Sequence, residues 1–197
     1  LGNLIGIAIT YGIINNVVLS QFLGICPFLG VSKKTETAAG MGGAVVFVIT
    51  IASFVTGVIY KFILANPAIL GGQLVYLNTI VFILVIATLV QFVEMVIKKY
   101  IPGLYKVLGI YLPLITTNCA ILGVANFVTV GQNYDLIQTL VYSVSIGLGY
   151  LLVMYIFAGV RERIETSPIP KPFKGAAIAF IIAGFMAMAF AGFGGIA

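Results

Sequence analysis

Six long apolar runs determine what this chain can fold into. Each is long enough to cross the hydrocarbon core of a bilayer as a helix, which takes about 20 apolar residues. The charged fraction is 8%, whereas roughly 25% is usual in a soluble domain. We therefore expect an all-α integral membrane protein with six transmembrane helices, built as a single membrane domain over residues 1–197. The runs cover residues 3–31, 39–63, 75–97, 103–128, 137–158 and 174–195.

The placement of the ten basic residues predicts the orientation of the chain in the membrane. Lys61 follows the second run, and the other nine follow the first, third and fifth runs. Because basic residues concentrate in cytoplasmic loops, we expect a multi-pass protein of the inner (cytoplasmic) membrane with both termini outside. The loops are short, the longest near 159–173, so we expect no nucleotide-binding domain and no nucleic-acid partner. The nine are Lys33, Lys34, Lys98, Lys99, Lys106, Arg161, Arg163, Lys171 and Lys174.

The two cysteines of the chain each begin the same pattern, Cys-x-x-Leu-Gly-Val, at Cys26 and Cys119. The motifs lie in the first and fourth runs, which indicates a duplicated unit of three helices, covering about 1–99 and 100–197. Three crossings reverse the direction of the next unit, so the two repeats are inverted. In such proteins discontinuous helices meet near the middle of the membrane. We therefore expect Cys26 and Cys119 to approach one another.

Helix-breaking residues surround both motifs, which predicts that helices 1 and 4 are broken. Pro27 follows Cys26 and disfavours helical backbone at the residue before it, and Gly24 lies just upstream. In the second copy, Pro113 precedes the polar string Thr116–Asn118. Irregular backbone at membrane depth persists where it is buried in protein or lines a cavity. The alternative reading is a pair of tolerated kinks.

The cysteines have three possible roles: small apolar side chains, a disulfide, or metal ligands. Their repetition beside broken helices argues against the first role, and a membrane bundle gains little from the second. A metal site is favoured, but iron–sulfur clusters usually take four cysteines, and this chain has two and no histidine. The missing ligands must then come from another chain, so the sequence predicts an obligate partner for Cys26 and Cys119.

Polar residues next to the cysteines are candidates for supporting roles. Thr116, Thr117 and Asn118 directly precede Cys119. They can satisfy the interrupted backbone, donate hydrogen bonds to the sulfurs of a cluster, or offer oxygens to a cation. The backbone around Gly24 offers oxygens of the same kind in the first copy.

Glu94 is an ionisable residue near the end of the third run. It lies four residues before Lys98, a spacing that suits a helical ion pair at the cytoplasmic interface. The alternative is a carboxylate on an ion path, since ionisable groups inside a membrane are often functional. We expect the ion pair and keep the ion path as the second interpretation.

Five longer strings, spread along almost the whole chain, are specific enough to compare with known proteins. They are Asn15–Leu19, Phe22–Lys34, Gln91–Met95, Leu108–Cys119 and Arg161–Arg163. These strings resemble the Rnf-Nqr family of membrane subunits, and those around the two cysteines look most like its A-type members, from the Rnf complex.

The resemblance implies a membrane complex that passes electrons from reduced ferredoxin to NAD⁺ and exports Na⁺ or H⁺. It implies that the chain pairs with a homologous protein of opposite orientation, the E-type member of the Rnf complex. The pair would share an intramembrane [2Fe–2S] cluster with two cysteines from each protein, here Cys26 and Cys119. FMN and the other iron–sulfur centres would belong to the remaining subunits, so this chain would have no complete active site of its own.

Two alternatives stay open on the sequence. The first is the E-type member of the Na⁺-translocating NADH:quinone oxidoreductase, which belongs to the same family and shares the six-helix unit. The second is a secondary transporter without redox chemistry, because inverted repeats and broken helices are typical of that class as well.

Overall fold

The computed structural model describes residues 2–32, 34–64, 75–100, 112–127, 136–168, 170 and 173–192 of the chain. All regular secondary structure in these ranges is helical. Two π-helical segments, Thr10–Ile14 and Tyr60–Leu64, follow directly on the first and third α-helices. The α-helices are α1 (Gly2–Ile9), α2 (Ile25–Val31), α3 (Thr35–Ile59), α4 (Val75–Tyr100), α5 (Leu112–Thr116), α6 (Cys119–Asn126), α7 (Leu136–Glu165) and α8 (Ala176–Ala191).

Three of the described helical stretches are long and apolar enough to cross a membrane. They are Thr35–Phe62, Thr79–Tyr100 and Ile137–Ile164, which fall in α3 with its π-helical extension, α4 and α7. Helix α8 is apolar but shorter, with 16 residues. The first and fourth apolar runs contain the short helices around the cysteines instead of one continuous helix. The described part of the chain is thus all-helical with several apolar helices, as expected for a membrane protein.

Two helices extend past the apolar runs from which they were predicted. Helix α3 begins at Thr35 rather than at 39, and α7 continues to Glu165 rather than ending at 158. The connection expected from 159 therefore begins after Glu165. The runs followed hydropathy, whereas helix ends accept charge that suits the helix dipole. Glu36 lies in the first turn of α3, and Arg163 lies in the last turn of α7.

Helix α7 packs along α3, and glycines bring the two backbones close together. A Cβ atom at Gly42 would lie 3.1 Å from Cγ of Leu151, and one at Gly147 would lie 3.1 Å from Cα of Val46. Small residues at such crossings let helices approach closely, which is how membrane helices gain packing contacts. This pair forms the frame against which the short helices of the first and fourth runs lie.

Gly149 of α7 provides a test of how tightly the π-helical segment of the first apolar run packs against α7. A Cβ atom there would collide with the carbonyl oxygen of Gly12 in the π-helical segment. We expect Gly149→Ala to lower the thermal unfolding midpoint, because overpacking costs about 1–3 kcal/mol. The matched control is Gly159→Ala in the same helix, where nothing lies within 4 Å. It should be neutral or slightly stabilising, and equal effects of the two substitutions would contradict this packing.

Candidate metal centre

The first interruption separates α1 and its π-helical extension from α2. The N–H of Asn15 donates to the Thr10 carbonyl oxygen at 2.7 Å and ends the π-helix. Asn16 is buried, and its Oδ1 accepts the N–H of Val18 at 3.0 Å, a local bond that competes with continued helix. The next helix starts only at Ile25, so ten residues lie between the two helical segments. The interruption predicted at this motif is present.

The second interruption separates α5 from α6 and uses a similar device. Thr117 donates its N–H and its hydroxyl to the Pro113 carbonyl oxygen, at 3.1 and 3.0 Å. Asn118 then caps α6, with its Oδ1 accepting the N–H of Ala120 at 3.0 Å. Cys119 is the first residue of α6. At both breaks, therefore, an asparagine side chain accepts the N–H two residues ahead.

The two interruptions meet at Gly24. Its backbone N–H donates to Sγ of Cys119 at 3.0 Å. Gly24 adopts φ 80°, in the left-handed region that favours glycine, and a Cβ atom there would lie 2.9 Å from the Tyr150 ring and 3.1 Å from Asn118 Oδ1. A residue with a side chain would therefore push the two motifs apart. The left-handed backbone and the absent side chain together allow this contact.

The two cysteine side chains are free thiols and both are exposed on the surface of the chain. The residues around them, Pro27, Asn118 and Ala120, are buried. The thiols therefore lie at a surface that is otherwise well packed, open to ligands from another molecule. Donation from a backbone N–H to a cysteine sulfur is one of the interactions that set the potential of iron–sulfur clusters. The two cysteines thus fit one half of a four-thiolate site.

The described residues offer no larger ligand set. No group of three or more His, Cys, Asp or Glu side chains that could hold a metal occurs in the described ranges. A metal held by Cys26 and Cys119 would need further ligands from outside these ranges.

The structure places some of the other candidate residues beside Cys119 and gives the rest no described contact with it. Gly24 and Asn118 lie together with Cys119, as described above. Thr116 ends α5 half-buried, and Thr117 is exposed and directed to the preceding turn. Glu94 is half-buried near the end of α4, and in the described part of the chain no bond joins it to the residues around the cysteines. The ion pair with Lys98 and the alternative place of Glu94 on an ion path therefore stay predictions.

A separate cavity of about 490 Å³ lies between the first interruption and α8. Asn15, Asn16 and Ser20 contribute polar groups to it, and α8 contributes an apolar wall. Neither cysteine lines this cavity. The remaining lining residues are Ile14, Leu19, Ala187, Met188, Phe190 and Ala191.

Two residues at the centre were missed by reasoning from sequence. Tyr150 is fully buried and donates its hydroxyl to the Gly24 carbonyl oxygen at 3.3 Å. Arg161, interpreted as a loop charge, is 6% exposed and donates from Nη1 to the Leu29 carbonyl oxygen at 2.7 Å. A signal was available, because Tyr150, Phe157 and Arg161 are seven and four residues apart and share one face of a helix.

The chain is similar to known proteins along almost its whole length. Residues 4–197 match the family described as "Rnf-Nqr subunit, membrane protein". The chain is 54% identical over 192 residues to the A subunit of the Na(+)-translocating ferredoxin:NAD(+) oxidoreductase complex of Acetobacterium woodii, covering 98% of this chain and 97% of that protein. It is 53% identical to the A subunit of the ion-translocating oxidoreductase complex of Edwardsiella ictaluri, covering 93% and 92%. The corresponding protein of Psychromonas ingrahamii is 52% identical, covering 93% of each chain.

Proposed function

The chain belongs to the Rnf-Nqr family of membrane subunits, and from this membership we propose that it is the A-type member of an ion-translocating ferredoxin:NAD⁺ oxidoreductase complex. In this role it relays electrons within the membrane through a [2Fe–2S] cluster shared with a homologous protein. The relay is coupled to the export of Na⁺ or H⁺. The observation that carries the proposal is the contact between the two motifs, in which Gly24 N–H donates to the exposed Cys119 sulfur at 3.0 Å.

Cys26 and Cys119 would hold the half of the cluster that this chain contributes. When bound, such a cluster supplies a one-electron carrier. The chain's own residues then have separate tasks. Gly24 donates to the Cys119 sulfur and so stabilises negative charge there, and Asn118 caps the helix that begins with Cys119. Tyr150 holds the carbonyl of Gly24 and excludes water with its buried ring.

The partner follows from the ligand count. Two thiols are half of a four-cysteine site, and both are exposed, so a second chain must supply the rest. We propose the homologous E-type protein of opposite orientation, with each of the two built as six transmembrane helices in two inverted three-helix repeats. Ferredoxin, NAD⁺, FMN and the other iron–sulfur centres are then contacted by the remaining subunits, in the inner membrane.

A deletion experiment distinguishes this function from that of a secondary transporter. Membrane vesicles from cells that lack this chain should lose both ferredoxin-dependent NAD⁺ reduction and the ion uptake that accompanies it. Reintroducing the chain should restore both activities. If NAD⁺ reduction persists without the chain while ion uptake is lost, the redox role is wrong and the chain belongs to a transporter.

The predicted orientation is tested with single cysteines introduced at exposed positions on both sides of a chain in which Cys26 and Cys119 are replaced by alanine. A cysteine at Thr166, after α7, should react with a membrane-impermeant maleimide from the cytoplasm, and one at Lys61 should react from outside. The reverse pattern would overturn the orientation. Ser32, by sequence another cytoplasmic loop position, is unsuitable because its side chain is fully buried against Arg161. Gln132, on the outer side by the same reasoning, lies outside the described residues.

A further inference from the structure

Helix α2, which carries Cys26, is too short to be stable without contacts to other parts of the chain. It has seven residues, and isolated helices shorter than about 12–15 residues are marginal even in favourable sequences. Ten non-helical residues precede it, and Gly24 at its start is in the left-handed region. The location of Cys26 must therefore be set by what α2 packs against.

One face of α7 contacts α2 at three points along its length. At the start of α2, the Tyr150 hydroxyl donates to the Gly24 carbonyl oxygen. In the middle, the Phe157 ring stacks on the Phe28 ring, with centroids 4.1 Å apart and an interplanar angle of 26°. At the end, Arg161 reaches the last turn of α2. The three α7 residues are spaced by seven and four positions, so α2 lies along a single helical face.

The contact at the end of α2 is the one that carries a charge. Nη1 of Arg161 donates to the Leu29 carbonyl oxygen at 2.7 Å and to Ser32 Oγ at 2.9 Å. Carbonyls in the last turn of a helix lack partners within the helix, and a positive charge there is favourable. Hydrogen bonds from a charged donor are about twice as strong as neutral ones. Because Arg161 is 6% exposed, water competes little for these bonds.

We infer that Arg161 is a positioning residue that fixes Cys26 relative to Cys119 by holding the far end of α2. Tyr150 and Gly24 hold the near end, at the contact with Cys119, so the pair of end contacts defines where Cys26 lies. The inference rests on the proposed function in one respect, since a fixed spacing of the two thiols matters if they share a cluster with a partner's thiols. The contact itself does not depend on that function.

The chain's two cysteines allow a direct test without removing other thiols. Nitroxide labels are attached to Cys26 and Cys119 in the full-length chain in lipid nanodiscs, and their distance distribution is measured by dipolar EPR. We expect Arg161→Gln to broaden the distribution about two-fold or more, because a lost hydrogen bond to a charged group shifts local populations by roughly ten-fold. Arg161→Lys should restore part of the narrow distribution. Helical content is measured in parallel by circular dichroism.

The matched control is Arg163→Gln, which removes the same charge from an exposed position two residues further along α7. It should leave the distribution unchanged. A distribution for Arg161→Gln as narrow as that of the unsubstituted chain would overturn the inference, and so would equal broadening by the control. If Arg161→Gln loses helical content, Ser32→Ala decides the question, since it removes one of the two acceptors. Broadening by Ser32→Ala supports positioning, and an unchanged width refutes it.

The two proposals fail in different ways. The distance measurement uses the chain without any cluster, so it reports on positioning whether or not the chain ligates iron. In the assembled complex, Arg161→Gln should also lower the occupancy of the [2Fe–2S] cluster, whereas Arg163→Gln should not. A complex without this cluster in the unsubstituted form would refute the proposed function and leave the distance result intact.

Discussion

Replacing Cys119 or Cys26 by alanine is expected to abolish the [2Fe–2S] EPR signal of the reduced complex and its ferredoxin-dependent NAD⁺ reduction. The chain contains two cysteines and no histidine, and the described residues hold no cluster of alternative ligands. After the loss of one thiolate, the chain has no spare cysteine and no histidine to replace it. Alanine is the cleaner replacement, because a serine oxygen can retain a weakened cluster.

Gly30→Ala is the matched control for this prediction. Gly30 lies in α2, four residues after Cys26, and its nearest neighbour for an added Cβ atom is Leu114 Cδ1 at the ordinary contact distance of 3.7 Å. It should assemble and retain the signal. An unchanged EPR signal in both single cysteine variants would show that neither cysteine is a cluster ligand.

Gly24→Ala is expected to have the second-largest effect, because it disrupts the contact between the two motifs. An alanine at φ 80° costs about 1–2 kcal/mol in backbone strain. Its Cβ atom would also lie 2.9 Å from the Tyr150 ring and 3.1 Å from Ala120 Cβ, and overpacking costs about 1–3 kcal/mol. We expect a large fall in the thermal unfolding midpoint of the chain and loss of the cluster signal from the complex.

Gly175→Ala separates the two causes. Gly175 has φ 98°, but nothing lies within 4 Å of an added Cβ atom there. Its ψ of −125° also places it in a region that essentially only glycine adopts, so this variant carries backbone strain without a collision and should keep the cluster signal. If Gly24→Ala also keeps the cluster signal, as Gly175→Ala is expected to, close packing between the two motifs is not required.

Much of the centre could be predicted because its causes are local in sequence. Gly24 and the Thr116–Asn118 string act on the backbone within one or two residues, so the interruption at each motif could be predicted from them. The effect expected of Pro27 was wrong, because Cys26 and Pro27 both lie within α2, which begins at Ile25, and the first turn of a helix tolerates proline. The repeated Cys-x-x-Leu-Gly-Val pattern then predicted that the two interruptions come together. The bond from Gly24 N–H to Cys119 Sγ shows that the two interruptions are in contact.

The residues that hold the centre from α7 could not be predicted in the same way. Arg161 follows an apolar run, and on hydropathy it is one more basic residue at a membrane interface. Its burial depends on α7 continuing to Glu165 and on α2 ending beside it, which are facts of tertiary packing. Tyr150 taken by itself carries no signal, since an aromatic residue inside an apolar run is most often part of a core. Their shared helical face becomes informative once α2 is known to lie against it.

Glu94 illustrates a different limit. Its spacing to Lys98 concerns neighbours on one helix surface, and this says nothing about which other helix that surface faces. The structure places Glu94 half-buried on α4, without a described bond to the cysteine region. A pattern within one element predicts local pairing, whereas membership of a site depends on how the elements assemble.

The central claim is that Cys26 and Cys119 ligate a [2Fe–2S] cluster shared with a second protein of the complex. Its most direct test is the iron and acid-labile sulfide content of the purified complex, compared between the unsubstituted chain and the Cys26→Ala/Cys119→Ala double variant. Every other centre is common to both samples, so the difference isolates this site. The account predicts about two iron and two sulfide fewer per complex in the double variant, as the composition of a [2Fe–2S] cluster requires. Equal iron and sulfide in two equally assembled complexes would contradict it.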